Sequence, residues 1–156
     1  MTKKLGFLGL LMIFCLKATC QTDYSLPLNH LKLTSNYGTR IHPITKQTDF
    51  HRGIDLSARC EPVMAVLSGK VSSCGYDPIL GNFVKIDHGE IRTVYGHLRM
   101  VAIFPGESVQ AGTFIGITGS TGRSTGEHLH FAVSVYGSYV NPLAFLLGLT
   151  NLCTTE

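Results

Sequence analysis

Charge is scarce in this sequence. Asp, Glu, Lys and Arg make up 15% of its 156 residues, and the formal net charge is +3. Even that excess is lodged at the start: Lys3, Lys4 and Lys17 precede residue 20 and no acid does, so bases and acids balance from Gln21 onward. A protein that neutralises phosphates needs clustered Lys and Arg, and this chain has no surplus to supply them, which argues against nucleic acid as a partner. Long apolar runs are missing too. The uncharged run Leu5 to Leu16 falls short of the roughly 20 residues a membrane-spanning helix requires. No Cys-x-x-Cys knuckle occurs, so the thiols do not form a metal site of the usual spacing. Repeats, linkers and low-complexity tracts are likewise absent. What is present is 44% hydrophobic residues and 17 Gly, which excludes a disordered chain or a coiled coil and points to one turn-rich domain.

Residues 1–20 read as a signal peptide. Lys3 and Lys4 lead into the apolar run, and the small residues Ala18 and Cys20 allow cleavage before Gln21. Cys20 offers a second reading as the lipidated first residue of a lipoprotein, although Lys17 stands where such a signal usually carries an aliphatic side chain. The expectation is export, to the periplasm or beyond, without a membrane span. Cys60, Cys74 and Cys153 would then face an oxidising compartment. One disulfide and a free thiol are expected, with Cys60 and Cys74, the nearest in sequence, as the pair.

From Pro62 onward the pattern is all-β: Val63–Leu67, Lys70–Cys74, Phe83–Asp87, Ile91–His97, Thr113–Thr118 and His128–Val135 read as short strands. The turns at Ser68-Gly69, His88-Gly89-Glu90, Pro105-Gly106-Glu107 and Gln110-Ala111-Gly112 are expected to close hairpins. Residues 31–61 read as loop around an edge strand. Only Pro142–Leu149 looks helical, with Asn141 as its cap. The glycine-rich segment Gly119 to Gly126 invites comparison with a phosphate cradle, but it carries Arg123 in place of the Gly-Lys pair and leads into a strand, so nucleotide binding is excluded.

Seven histidines, all after residue 20, raise a metal hypothesis, since neutral imidazole is the commonest zinc-binding side chain. His30, His42 and His88 lie beside turn-like sequence and read as solvated. In His128-Leu129-His130, residues i and i+2 of a strand turn both imidazoles to one face. His51-Arg52-Gly53-Ile54-Asp55 adds a nitrogen and a carboxylate across a glycine that permits a sharp turn. Three protein ligands and an open fourth position are what a catalytic zinc needs, and His97 would be a spare imidazole for proton work. Tyr95, two positions earlier, is expected on the same strand face, either steadying the reacting carbonyl or simply packing.

Four segments carry a family resemblance: Ser35-Asn36-Tyr37-Gly38-Thr39-Arg40-Ile41-His42-Pro43, Phe50-His51-Arg52-Gly53-Ile54-Asp55-Leu56, Tyr95-Gly96-His97-Leu98, and Gly119 to Phe131. Over most of the chain after the leader, the sequence resembles zinc peptidoglycan endopeptidases of the lysostaphin or LytM type. The resemblance implies an antiparallel folded sheet with a central groove and a short C-terminal helix, with the peptidase domain at 21–150 and a tail at 151–156. It implies one Zn²⁺ per chain held by His51, Asp55 and His130, with His97 and His128 as catalytic residues flanking the water and the substrate carbonyl; His128 is expected to take the water proton and His97 to hydrogen-bond the tetrahedral oxyanion, in roles that could be exchanged or shared. It also implies a peptidoglycan peptide substrate and a monomer, and a second class of outcome, since some relatives that have lost ligands act as noncatalytic activators of other wall hydrolases. Departures from the pattern are Glu127 in place of Pro, Ala132 in place of an acid, and Cys60-Glu61-Pro62 in place of Gly-Thr-Pro. A biotinyl or lipoyl carrier lacks its Met-flanked lysine here, and a cysteine nucleophile would need a reduced thiolate.

Overall fold

The structure, a computed structural model, describes residues 24–41 and 46–152. The expected leader with its cleavage point and Cys20, together with His42 and Cys153, lies outside the described residues.

The described residues fold as an antiparallel sheet closed off by one helix. Among the described residues, β1 (Leu33–Ser35), β4 (Ile54–Ser57), β11 (His128–Val135), β8 (Ile91–Val101), β7 (Gly81–Asp87), β6 (Gly69–Asp77) and β9 (Ser108–Val109) lie side by side in that order. The strand β10 (Phe114–Thr118) joins the far end of β8 to β5 (Pro62–Met64), and β12 (Ser138–Val140) pairs with β11. A separate hairpin consists of β2 (Gly38–Ile41) and β3 (Thr48–His51). The single helix among the described residues, α1 (Pro142–Leu152), runs beyond the expected Leu149, and its first turn is capped by the Asn141 carboxamide, whose oxygen accepts from Leu143 N at 3.0 Å.

Strand alternation decides which side chains reach the core. In β4, Ile54 and Leu56 are buried in the core while Asp55 points the other way, and in β11 Leu129, Phe131 and Val133 are core while His128 and His130 face out of it. The core face is completed by Val63, Val66, Val84, Ile86, Tyr95, Leu98 and Ile115, with Leu146 of α1 packed against it.

Several expectations need correction. Residues 31–61 are not one edge strand in a loop but four strands, β1 to β4, each only three or four residues long and hence barely visible as alternation. Of the four expected hairpins only His88-Gly89-Glu90 closes one, between β7 and β8. The other three turn the chain toward a different partner, because β9 pairs with β6 and β10 with β5 and β8. A glycine signals a turn; which edge the next strand finds is settled by distant hydrogen-bonding partners. The expected Cys60–Cys74 disulfide is absent, and both thiols are free. Cys74 lies on β6 with its thiol on the Ile103 carbonyl, whereas Cys60, beside β4, accepts from the Arg99 guanidinium at 3.2 Å. Nor is His88 solvated: its ring spans the Ser68 carbonyl and the Thr93 hydroxyl, both at 2.9 Å.

Candidate metal centre

On the face of the sheet away from the core, a groove of about 880 Å³ runs between two lips. One lip is built by β2, β3 and β12, where Tyr37 meets Phe50 edge to face, Tyr37 donates its hydroxyl to the Tyr139 carbonyl and Arg52 lies over the Tyr139 ring. The other is built by the turn around Ile79 and the glycine-rich loop. There a Cβ on Gly122 would lie 2.2 Å from the backbone nitrogen of Gly81, so the two segments can cross only as glycines, both with positive φ. The glycines of this loop serve a close backbone crossing.

His51, Asp55 and His130 converge on the groove floor. β4 and β11 are paired with His130 opposite Asp55, which puts the two side chains side by side on one face. His51 Nε2 lies 3.1 Å from His130 Nδ1 and 3.2 Å from Asp55 Oδ1, and His130 Nδ1 is 3.0 Å from the same oxygen. Donor atoms of a tetrahedral site with bonds of about 2.0–2.1 Å are separated by about 3.3 Å, so this triangle has the size a zinc ion requires. The proton inventory agrees. His51 donates Nδ1–H to the Asn36 carbonyl at 2.8 Å, which leaves Nε2, the atom facing the carboxylate oxygen, as the ring nitrogen available to a metal. Two imidazoles with one carboxylate form a donor set suited to zinc.

Electrostatics favour the deprotonated ligand forms. Burial by itself would raise the Asp55 carboxyl, but hydrogen bonds and charge from His130 and His51 outweigh it and hold the group well below the usual carboxylate range. Burial pushes His130 down, with Asp55 opposing.

His97 and His128 stand beside this triangle, their ring centroids 4.6 Å apart. Each is held by a carbonyl: Nδ1 of His97 donates to Thr121 at 2.8 Å, and Nδ1 of His128 to Gly126 at 2.7 Å. Nε2 of each ring is therefore the nitrogen turned away from the loop, that of His128 at 3.6 Å from Asp55 Oδ1. Burial, with His128 and His130 nearby, pushes His97 down to about 4 despite its bond to Thr121.

The structure thus brings together all five residues singled out in the sequence, but two local expectations fail. Tyr95 does not share a face with His97. A β-bulge in β8 sets Gly96 and His97 together against one residue of β7, with His97 at φ +62°, so His97 joins the groove while Tyr95 and Leu98 on either side enter the core. The Tyr95 hydroxyl accepts from Val66 N at 2.9 Å. Gly53, for its part, is required by space rather than by a turn: a Cβ there would meet His130 Cε1 and the Phe131 carbonyl oxygen, each at 2.6 Å. Unassigned in the sequence were Arg40, which pairs with Asp55, and the carbonyls of Asn36, Thr121 and Gly126, for which side-chain identity carries no signal. Two of the family departures meet each other, as Cys60 N–H donates to the Glu127 carboxylate beside His128.

Known proteins are similar to this chain in sequence and in fold. The chain is 40% identical over 119 residues to the peptidoglycan DD-endopeptidase ShyC of Vibrio cholerae, covering 74% of this chain but only 28% of that one. A zinc-containing peptidase from Vibrio cholerae superposes with a TM-score of 0.66 at 33% identity, over 71% of this chain and 35% of the other. The catalytic domain of the antimicrobial peptidase lysostaphin from Staphylococcus simulans gives 0.67 at 33% identity, over 74% and 92%. The sequence model of Peptidase family M23 matches residues 49–142. That span, more than half of the chain, runs from the strand that ends in His51 to the start of the C-terminal helix, and the chain belongs to Peptidase family M23.

Proposed function

We propose that the chain is a zinc metalloendopeptidase that hydrolyses peptide bonds in peptidoglycan stem peptides or cross-bridges. The observation that carries this reading is the triangle of His51 Nε2, Asp55 Oδ1 and His130 Nδ1, open to a peptide-sized groove. The relative ShyC is named a peptidoglycan DD-endopeptidase, which supports the substrate class.

His51, Asp55 and His130 would hold the ion. Bound there, zinc supplies Lewis acidity that polarises a scissile carbonyl and lowers the pKa of water toward about 7. His128 accepts the proton of the attacking water at Nε2, since its Nδ1–H is committed to Gly126. Protonated, that ring offers Nε2–H to the oxyanion developing on the carbonyl. His97 presents the same tautomer, and the burial that keeps it neutral favours orienting the water over taking its proton. Phe50, Ile79 and Tyr139 give the groove exposed apolar surface for the substrate chain.

The leader at residues 1–20 would deliver the enzyme across the inner membrane to this substrate, as a periplasmic or secreted monomer cut before Gln21 or as a lipoprotein anchored at Cys20. No described helix is long and apolar enough to cross a membrane. The noncatalytic alternative is disfavoured by the complete ligand set. Metal analysis of the purified protein, followed by mass spectrometry of sacculi digested with wild type and His128→Ala, tests the proposal. One zinc per chain, with peptides released by wild type and not by the variant, is expected; no release by zinc-loaded wild type would favour the activator.

A further inference from the structure

The two oxygens of the Asp55 carboxylate have different surroundings. Oδ1 faces three imidazoles: His130 at 3.0 Å, His51 at 3.2 Å and His128 at 3.6 Å. Oδ2 faces a guanidinium, with Arg40 Nη1 at 3.4 Å. The same Nη1 donates to the Ser35 hydroxyl at 2.6 Å, and Ser35 stands opposite Asp55 in the β1–β4 register. Arg40 is therefore tethered by the strand that flanks the ligand it touches. Neighbouring residues extend the brace: the Thr34 hydroxyl donates to the Asp55 carbonyl at 3.0 Å and the Asn36 carbonyl takes His51 Nδ1–H. Thr34, Ser35, Asn36 and Arg40 all precede residue 49, where the family match begins.

We propose that Arg40 is a positioning residue that reserves Asp55 Oδ2, so that the carboxylate meets the metal through Oδ1 alone. The proposal rests on the zinc reading above. A carboxylate with both oxygens free binds a cation through one or through both, and the second mode would fill the position that a three-ligand site leaves for water. Occupying Oδ2 removes that mode, and fixing the carboxylate's orientation lowers the cost of assembling the site. An opposing effect exists, because a guanidinium near a dication repels it. The two effects predict opposite outcomes when the charge is removed, which makes the proposal decidable.

The experiment measures zinc retention against a chromogenic chelator and the visible spectrum of the cobalt(II)-loaded protein, for wild type, Arg40→Met, Arg40→Lys and Ser35→Ala. Circular dichroism and melting temperature establish that each variant is folded. Arg40→Met is expected to lose zinc about 10- to 100-fold more readily, the range typical for groups that support a metal ligand. Its cobalt bands should also weaken, the mark of a coordination number above four. Arg40→Lys should recover part of both, and Ser35→Ala, which keeps the charge and cuts its tether, should shift both in the same direction by less. If Arg40→Met unfolds, the latter two variants carry the test. Zinc held as tightly as in wild type or tighter, with unaltered cobalt bands, would overturn the proposal and leave Arg40 as a repelling charge. Wild type that takes up neither metal would overturn the zinc reading itself, a result read without any variant.

Discussion

Replacing Gly53 by alanine adds one methyl group at the narrowest point of the site. Its Cβ would lie 2.6 Å from His130 Cε1, 2.6 Å from the Phe131 carbonyl oxygen and 2.8 Å from His130 Nε2. Carbon atoms pack at about 3.5–4.0 Å, so something must yield by about 1 Å. The Phe131 backbone cannot, because it is paired with Ile54 on one side and Tyr95 on the other. Either the His130 ring swings away or the His51–Asp55 segment lifts off β11. Both relaxations pull apart the same atoms, His51 Nε2 and His130 Nδ1, now 3.1 Å from each other. A gap lengthened to about 4 Å can be bridged by two bonds of about 2.0–2.1 Å only if they are almost collinear, far from tetrahedral. The strain should cost about 1–3 kcal/mol of stability, typical of overpacking, and leave the protein folded. Displacement of a ligand by about 1 Å should lower activity about 10²-fold or more. Thermal melting and metal analysis by plasma mass spectrometry, done on one preparation, read both effects. A folded Gly53→Ala variant with full zinc and wild-type hydrolysis would refute the claim that His130 is held against Gly53 as a ligand.

Three further outcomes follow from the packing. Tyr95→Phe should lose about 1–3 kcal/mol in urea unfolding, since Val66 N–H would be left buried without a partner, while kcat of the folded fraction stays unchanged because the hydroxyl faces the core. Loss of kcat without loss of stability would return Tyr95 to the site. Cys60→Gly should raise stability by about 0.5–1 kcal/mol, since relief of a left-handed φ of +52° exceeds the added chain entropy of glycine; a lowered melting temperature would show that the Arg99 contact outweighs it. Burial depresses His88 below its ordinary 6.5, so the unfolded chain binds that proton more readily than the folded one. The stability His88 confers is complete above about pH 6.5 and is lost as pH falls through its lower folded value. His88→Gln should therefore show a smaller drop in urea midpoint between pH 7 and pH 5 than wild type, and an equal drop would remove His88 from the acid response.

Side-chain chemistry was open to reading in advance because it is written in residue identity and short-range spacing. Two imidazoles at i and i+2 share a face whatever sheet they enter, which is why His128 and His130 could be placed together before any partner strand was known. The strands β7, β10 and β11 and the cap at Asn141 were legible for the same reason, each being a local pattern of alternation or hydrogen bonding. What tertiary structure alone decided depends on partners far away in the chain. The period of two forecast Tyr95 and His97 on one face, and a bulge enforced by the pairing of β8 with β7 reversed it. Cys60 and Cys74 are near in sequence and apart in space because β5 and β6 turn to different neighbours. Gly53 is glycine because a ring from β11 crosses it, and Arg40 matters because β1 carries Ser35 to the register position of Asp55. Local patterns fix which atoms can do the chemistry; backbone hydrogen bonds between distant strands fix which of those atoms meet.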